Sequence, residues 1–256
     1  MLRRSNPDAS LVVFGSSSTE AFDYLFGSHD RYHPFWASGW SARSLGRPQV
    51  QDYVFQLLAG VRAPAQIVLA FGMQDLMFGL PAALRAAGYS GVVHCDDPEA
   101  ARLAEVSVAS AILGQVALMR ALRAAGYGEA TAFFWAPPPD LPADYWVSRG
   151  LPALPPAFIG QLYRSMGPRM RRHKVQVLDV TDQFGGALLQ PTFARSGAAD
   201  HHPDYIRCQR ALWAALQPLQ PVLPKRRYWR RRAWGHERVM IGDLLATGLA
   251  RPRTCR

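Results

Sequence analysis

Five short apolar runs, spaced along the chain with helix-forming stretches between them, constrain this sequence more than any other feature. They are Leu11–Gly15, His33–Ala37, Gln66–Phe71, Ala130–Ala136 and Val175–Val180. The clearest of them, Gln-Ile-Val-Leu-Ala-Phe, does not alternate polar with apolar residues. Such a run reads as a strand buried on both faces, which is the signature of a parallel sheet covered by helices. Glycine ends the first and third runs, and Pro137–Pro139 stops the fourth. A sixth run, Gly91–Cys95, reads as a further short strand. Between the strands lie segments of helical spacing: Thr19–Phe26, Val50–Val61, Leu80–Ala87, Asp97–Ala125, Pro156–His173 and His202–Leu219. Val50, Val54, Leu57 and Leu58 share one helical face. Asp97-Pro98-Glu99 suits a helix start and Gly126 a helix stop. A strand–helix order repeated about five times gives an α/β fold, a three-layer α/β/α sandwich with a mainly parallel sheet.

The 256 residues suit one domain with a sizeable core. With 49% apolar and 19% charged residues, a disordered or fibrous chain is excluded. No apolar run approaches the ~20 residues of a membrane span. The polar start and the shortness of the first apolar run argue against a secretory signal, so a cytoplasmic protein is expected. Cys95, Cys208 and Cys255 form neither a disulfide framework nor a metal-site spacing.

The net charge of +10 is concentrated at one end. Residues 225–256 hold ten Lys/Arg and two acids, whereas the other 224 residues hold 19 basic and 17 acidic side chains. The expected organisation is therefore an α/β domain over 1–224 and a basic, Trp/Arg-rich tail over 225–256. The nearly neutral body argues against a nucleic-acid-binding core. Within Lys225–Arg238, basic residues alternate with Tyr228, Trp229 and Trp234. That pattern suits peripheral docking on anionic headgroups at the inner membrane face. It also suits a phosphate backbone or a solvated extension.

Parallel sheets carry their chemistry beyond the carboxyl ends of the strands. The segments there are Gly15-Ser-Ser-Ser-Thr19, Ala37-Ser-Gly-Trp-Ser41, Gly72-Met-Gln-Asp75 and, before the last helix, Ser196-Gly-Ala-Ala-Asp-His-His-Pro-Asp204. Serines, an amide, aspartates and histidines at one edge are the parts of a hydroxyl-nucleophile site. The same segments can serve as caps and turns. Trp36, Trp40, Met73, Met77 and Phe78 either line an apolar pocket there or fill the core beneath it.

In these blocks the chain resembles the SGNH (GDSL-like) hydrolases, over about residues 10 to 220. Gly15-Ser16-Ser17 is similar to the first block of that family, Gly-Asp-Ser. Gly39 is the counterpart of the second-block glycine. Gly72-Met73-Gln74-Asp75 is similar to Gly-x-Asn-Asp, and His202-Pro203-Asp204 to the His-Pro-Asn of the last block. In Ser16 and Gln74 the chain departs from the pattern, and Asp200 lies two residues before the histidine instead of three. The branch closest in character is the SGNH-like proteins of bacterial polysaccharide gene clusters. The resemblance implies a flavodoxin-like five-stranded sheet, a Ser17 nucleophile, a His202 base oriented by Asp200, and an oxyanion hole from the Ser17 and Gly39 N–H groups and the Gln74 amide. Asp75 would organise the loops. His201 is the alternative base.

A serine hydroxyl needs an adjacent base, and a carboxylate fixes the tautomer of that base. The expected activity is therefore an esterase or acyltransferase acting on an acyl ester of a carbohydrate, without cofactor or metal. The alternative is a non-catalytic SGNH-like protein of polysaccharide assembly, docked by its tail. A metal-dependent phosphoesterase is disfavoured, because only serines follow the first strand where a ligating aspartate is expected. A dinucleotide or P-loop site is disfavoured because both glycine patterns are missing.

Overall fold

The computed structural model describes residues 11–27, 29–37, 39–197, 199–227, 229, 238–240 and 253–255. Its elements run β1 (Leu11–Gly15), α1 (Glu20–Leu25), β2 (Tyr32–Trp36), α2 (Pro48–Leu58), β3 (Gln66–Ala70), α3 (Leu80–Ala86), α4 (Pro98–Ala124), β4 (Thr131–Phe134), α5 (Asp144–Val147), α6 (Pro156–Arg171), β5 (Gln176–Asp179), α7 (Thr181–Phe184) and α8 (Tyr205–Leu216). Two three-residue strands follow, β6 (Arg238–Met240) and β7 (Arg253–Cys255). The first five strands are all parallel, in the order β5-β4-β3-β1-β2. This is the flavodoxin-like order expected from sequence. β6 extends the sheet in parallel beside β2, and β7 closes it antiparallel to β6. Both added strands come from the basic segment after residue 225.

Successive residues of β1 serve opposite faces, as strand geometry requires. Val12 and Phe14 pack into a core with residues of α2, α3, α4 and α6. Leu11 and Val13 pack into a second core with α1 and α8. The strand is buried at every position, so each apolar side chain on it contributes about 1.5–3 kcal/mol of burial. α4 is long and apolar enough by composition to cross a membrane, and half of that stretch is buried inside this fold. It starts at Asp97, whose carboxylate accepts the Glu99 and Ala100 N–H groups at 2.9 Å.

Three expectations need correction. Gly91–Cys95 is not a strand; it makes one bridge, between Val92 and Ala153. The last helix starts at Tyr205 and not at His202, because the Asp204 side chain takes the Ile206 and Arg207 N–H groups and caps it there. His202 is thereby freed from helical geometry. The sequence reading also missed α5 and α7, four-residue helices too short to show a periodicity.

β1 is the point where the chain switches direction across the sheet. β2 lies on one side of it and β3, β4 and β5 on the other. Register sets Gly15 level with both Ala70 and Trp36. The loops after β1, β2 and β3 therefore leave the sheet side by side, at the crevice where such folds carry ligands.

Candidate active site

The turn after β1 is made tight by two contacts. Ser16 N–H donates to Ala70 O at 3.2 Å, and Thr19 Oγ1 donates to Ser16 O at 2.7 Å. A Cβ on Gly15 would come within 2.4 Å of Ala70 O and of Thr19 Cγ2, so only glycine lets the strands approach this closely. Ser17 follows as the first residue of a 3-10 turn, Ser17–Thr19. Its N–H, like any first helical donor, has no intrahelical acceptor. Its side chain is half-buried.

The other half of the site comes from residues 193–205. Asp204 N–H donates to Phe193 O at 2.7 Å and Ala194 bridges Pro203, which closes the loop at its base. Inside it, Asp200 Oδ1 accepts the His202 backbone N–H at 2.9 Å and meets His202 Nδ1 at 2.7 Å. The two-residue spacing that departs from the family pattern thus still brings the carboxylate to the imidazole. The other oxygen, Oδ2, accepts Arg195 Nη1 at 2.7 Å, and Arg195 Nε donates to Pro203 O. Partial burial raises the Asp200 pKa, but the His202 hydrogen bonds and the charges of His202 and Arg195 outweigh it and hold the group below its ordinary value.

A carboxylate only accepts, so His202 Nδ1 carries hydrogen and Nε2 presents its lone pair. That lone pair lies 2.7 Å from Ser17 Oγ. Ser17, His202 and Asp200 form one hydrogen-bonded line. Tyr205 OH donates to Ser17 O at 3.1 Å and ties the serine turn to α8.

His201 points elsewhere. Its Nδ1 lies 2.7 Å from the Tyr145 hydroxyl and 3.8 Å from Asp200 Oδ1. Burial and the neighbouring His202 push its pKa down to about 4. Asp200, His201 and His202 are close enough together to suggest a cation site. Their donor atoms are engaged by Arg195, Tyr145 and Ser17, and a guanidinium on the carboxylate opposes a further cation there.

Asp75 opens a π-helical turn, Asp75–Gly79, and is buried. Its oxygens accept the Ala42 N–H at 2.6 Å and the Arg43 N–H at 3.2 Å, which ties the loop after β2 to the loop after β3. Burial raises its pKa to about 6 even though both N–H bonds lower it. Gly39 lies in that tied loop, exposed, with φ +78°; nothing crowds its Cβ position, so the backbone angle alone favours glycine. Gln74 is half-buried, and its amide makes no hydrogen bond among the described residues. Of the aromatic and Met side chains expected near the loops, Trp40 and Met77 belong to the core. Phe78 meets the His201 ring edge-on at 5.1 Å. Sequence reading missed Arg195, Tyr145 and Tyr205. Arg195 sits five residues before Asp200 with no motif to mark it, and Tyr145 lies on a helix with no periodic signal.

No family model matches the sequence, and no curated protein matches it. Solved structures match its architecture. BT4096, described as a gut microbial diltiazem-metabolizing enzyme, is 11% identical with a TM-score of 0.51 and covers 81% of this chain. The match takes in 46% of that protein, so the chain spans about half its length. Est24, a carbohydrate acetylesterase from Sinorhizobium meliloti, is 17% identical with a TM-score of 0.47, over 85% of this chain and 100% of the other. The likeness to BT4096 shows a shared α/β fold.

Proposed function

We propose that the protein is a serine esterase or acyltransferase that acts on an acyl ester of a polyhydroxylated alcohol, such as a carbohydrate. The observation that carries this reading is the unbroken line Ser17 Oγ, His202 Nε2, His202 Nδ1 and Asp200 Oδ1, with 2.7 Å at each joint. Ser17 attacks the ester carbonyl as His202 takes its proton, and Asp200 stabilises the imidazolium that forms. The tetrahedral oxyanion meets the Ser17 and Gly39 N–H groups and the Gln74 amide. One such donor is typically worth about 3 kcal/mol in the transition state. His202 then protonates the departing alcohol. Water or an acceptor hydroxyl resolves the acyl-enzyme by the same route in reverse. Phe78 and Tyr145 beside polar donors suit a hydroxylated partner better than a plain acyl chain.

In this reading, residues 225–238 dock the protein onto an anionic membrane. The support is charge: six of the first eight residues of this segment are Lys or Arg. Lys225 and Arg210 also lie over the Trp229 ring, at 4.5 and 5.8 Å.

The deciding experiment is labelling with a fluorophosphonate. The expected result is a covalent adduct on the wild type and none on Ser17→Ala, with ester turnover lost in parallel. A folded wild type that takes no label would overturn the catalytic reading in favour of a non-catalytic relative.

A further inference from the structure

The acyl-transfer reading leaves one polar group at the site without a role, the imidazole of His201. Tyr145 lies 2.7 Å from its Nδ1. Two proton arrangements are open to this pair, and the chemistry favours one. A phenol is a stronger hydrogen-bond acid than a neutral imidazole N–H, and an imidazole lone pair is a better acceptor than a phenol oxygen. Tyr145 therefore donates, which fixes the hydrogen of His201 on Nε2. That Nε2–H makes no hydrogen bond among the described residues. The ring stays neutral at physiological pH, because burial and His202 hold its pKa near 4. About a quarter of the side chain, 26%, is exposed.

The ring is also clamped. Phe78 meets it edge-on at 5.1 Å, and the His202 ring lies at 3.8 Å between centroids. The clamp is anchored in the fold. Trp146, next to Tyr145, is fully buried and donates to Met77 O at 2.8 Å. The Arg149 guanidinium lies over the Tyr145 ring at 3.9 Å. A rigid, uncharged donor with no protein acceptor among the described residues, packed on the catalytic imidazole and partly open to solvent, is held ready to meet a ligand.

Its position identifies the part of the ligand. The imidazole that serves the serine later protonates the departing alcohol, while the oxyanion donors act from the other side. A ring stacked on His202 thus stands beside the departing alcohol. We infer that His201 is a substrate-binding hydrogen-bond donor that takes an oxygen on the carbon next to the acylated one, and so selects esters of polyhydroxylated alcohols over simple aryl or alkyl esters. The inference deepens the acyl-transfer reading and rests on it.

Two measurements on the full chain test it. In long-range 1H–15N correlation spectra at pH 7, His201 should show hydrogen on Nε2; hydrogen on Nδ1 would overturn the inference whatever the kinetics. In turnover, the ratio of kcat/KM for glucose pentaacetate to that for 4-nitrophenyl acetate should fall about tenfold in His201→Phe, the size of one lost hydrogen bond. His201→Gln, which keeps an N–H donor, should recover most of the ratio. Tyr145→Phe frees the tautomer without removing the imidazole and should lower the ratio about threefold, which covers the case that His201→Phe does not fold. An active wild type whose ratio is unchanged in every variant sinks this inference alone. A wild type that hydrolyses neither ester and takes no label at Ser17 sinks the acyl-transfer reading, and the inference with it.

Discussion

Replacing Asp200 with asparagine removes a charge but almost no volume, and the surroundings decide what the amide does. In the native site one carboxylate oxygen serves His202 and the other serves Arg195. An asparagine has one oxygen for the two. The Arg195 guanidinium, always charged, claims it, and the amide nitrogen then faces His202 Nδ1. That nitrogen donates, so the imidazole must shift its hydrogen to Nε2 and point it at Ser17 Oγ. A base with its lone pair turned away cannot take the serine proton. The lost charge adds to this. A unit charge about 4 Å from the imidazolium is worth about 4 kcal/mol at the effective dielectric of a partly exposed site. That equals roughly three orders of magnitude in rate, and the wrong tautomer adds to it, so kcat should drop by about 10³ to 10⁴. The assay is turnover of 4-nitrophenyl acetate, with circular dichroism to show that the fold is kept. Adding Arg195→Met should recover part of the loss, because the amide oxygen can then turn toward His202. Activity of Asp200→Asn within tenfold of the wild type, or no recovery in the double variant, would refute this account of the acid.

Three further outcomes are expected. Gly15→Ala forces a methyl against Ala70 O and Thr19 and should destabilise the protein by about 3 kcal/mol, seen as a melting temperature lower by roughly 10 °C; an unchanged melting temperature would contradict the close approach. Asp75 has its folded pKa raised to about 6 from an ordinary 3.8, so the native state holds the proton more tightly than the unfolded chain. Its contribution to stability is complete below about pH 4 and is lost as pH rises through 6, so the stability of the wild type relative to Asp75→Asn should increase by roughly 3 kcal/mol between pH 7.5 and 4 in urea titrations; a flat difference would show that the group does not titrate as its burial implies. Changing Arg230, Arg231 and Arg232 to Gln should remove most co-sedimentation with phosphatidylserine vesicles at 0.1 M salt, and equal binding by the variant would discard membrane docking.

The sheet was legible because fully buried strands need continuous apolar runs, and Leu11–Gly15 and Gln66–Ala70 could hardly be anything else. Run composition does not report pairing, which is why Gly91–Cys95 looked like a strand and makes only a bridge. The blocks that meet at the crevice were legible because βα loops at a parallel sheet edge must converge, whatever their sequence separation. The spacing of Asp200 and His202 was the hard part. In sequence the aspartate stands one residue short of the family pattern, yet an aspartate that accepts the backbone N–H two residues on swings its carboxylate toward that residue's side chain. Tyr145 and Arg195 were illegible for the opposite reason. Neither carries a periodic or motif signal: Tyr145 reaches His201 from a separate segment, and Arg195 meets Asp200 only through the fold of its own loop.

Acid, base and the arginine that holds the acid all belong to a single segment of about ten residues, from Arg195 to Asp204, that is shut at its neck by its own backbone. Across the 185 residues between Ser17 and His202, the two side chains meet in a single hydrogen bond, with the Tyr205 hydroxyl on Ser17 O beside it. Gentle heating or dilute denaturant should therefore uncouple that joint while the peptide around the imidazole keeps its shape. Catalytic competence would fade ahead of global melting, and turnover would serve as a strain gauge for the seam between the first strand and the last helix.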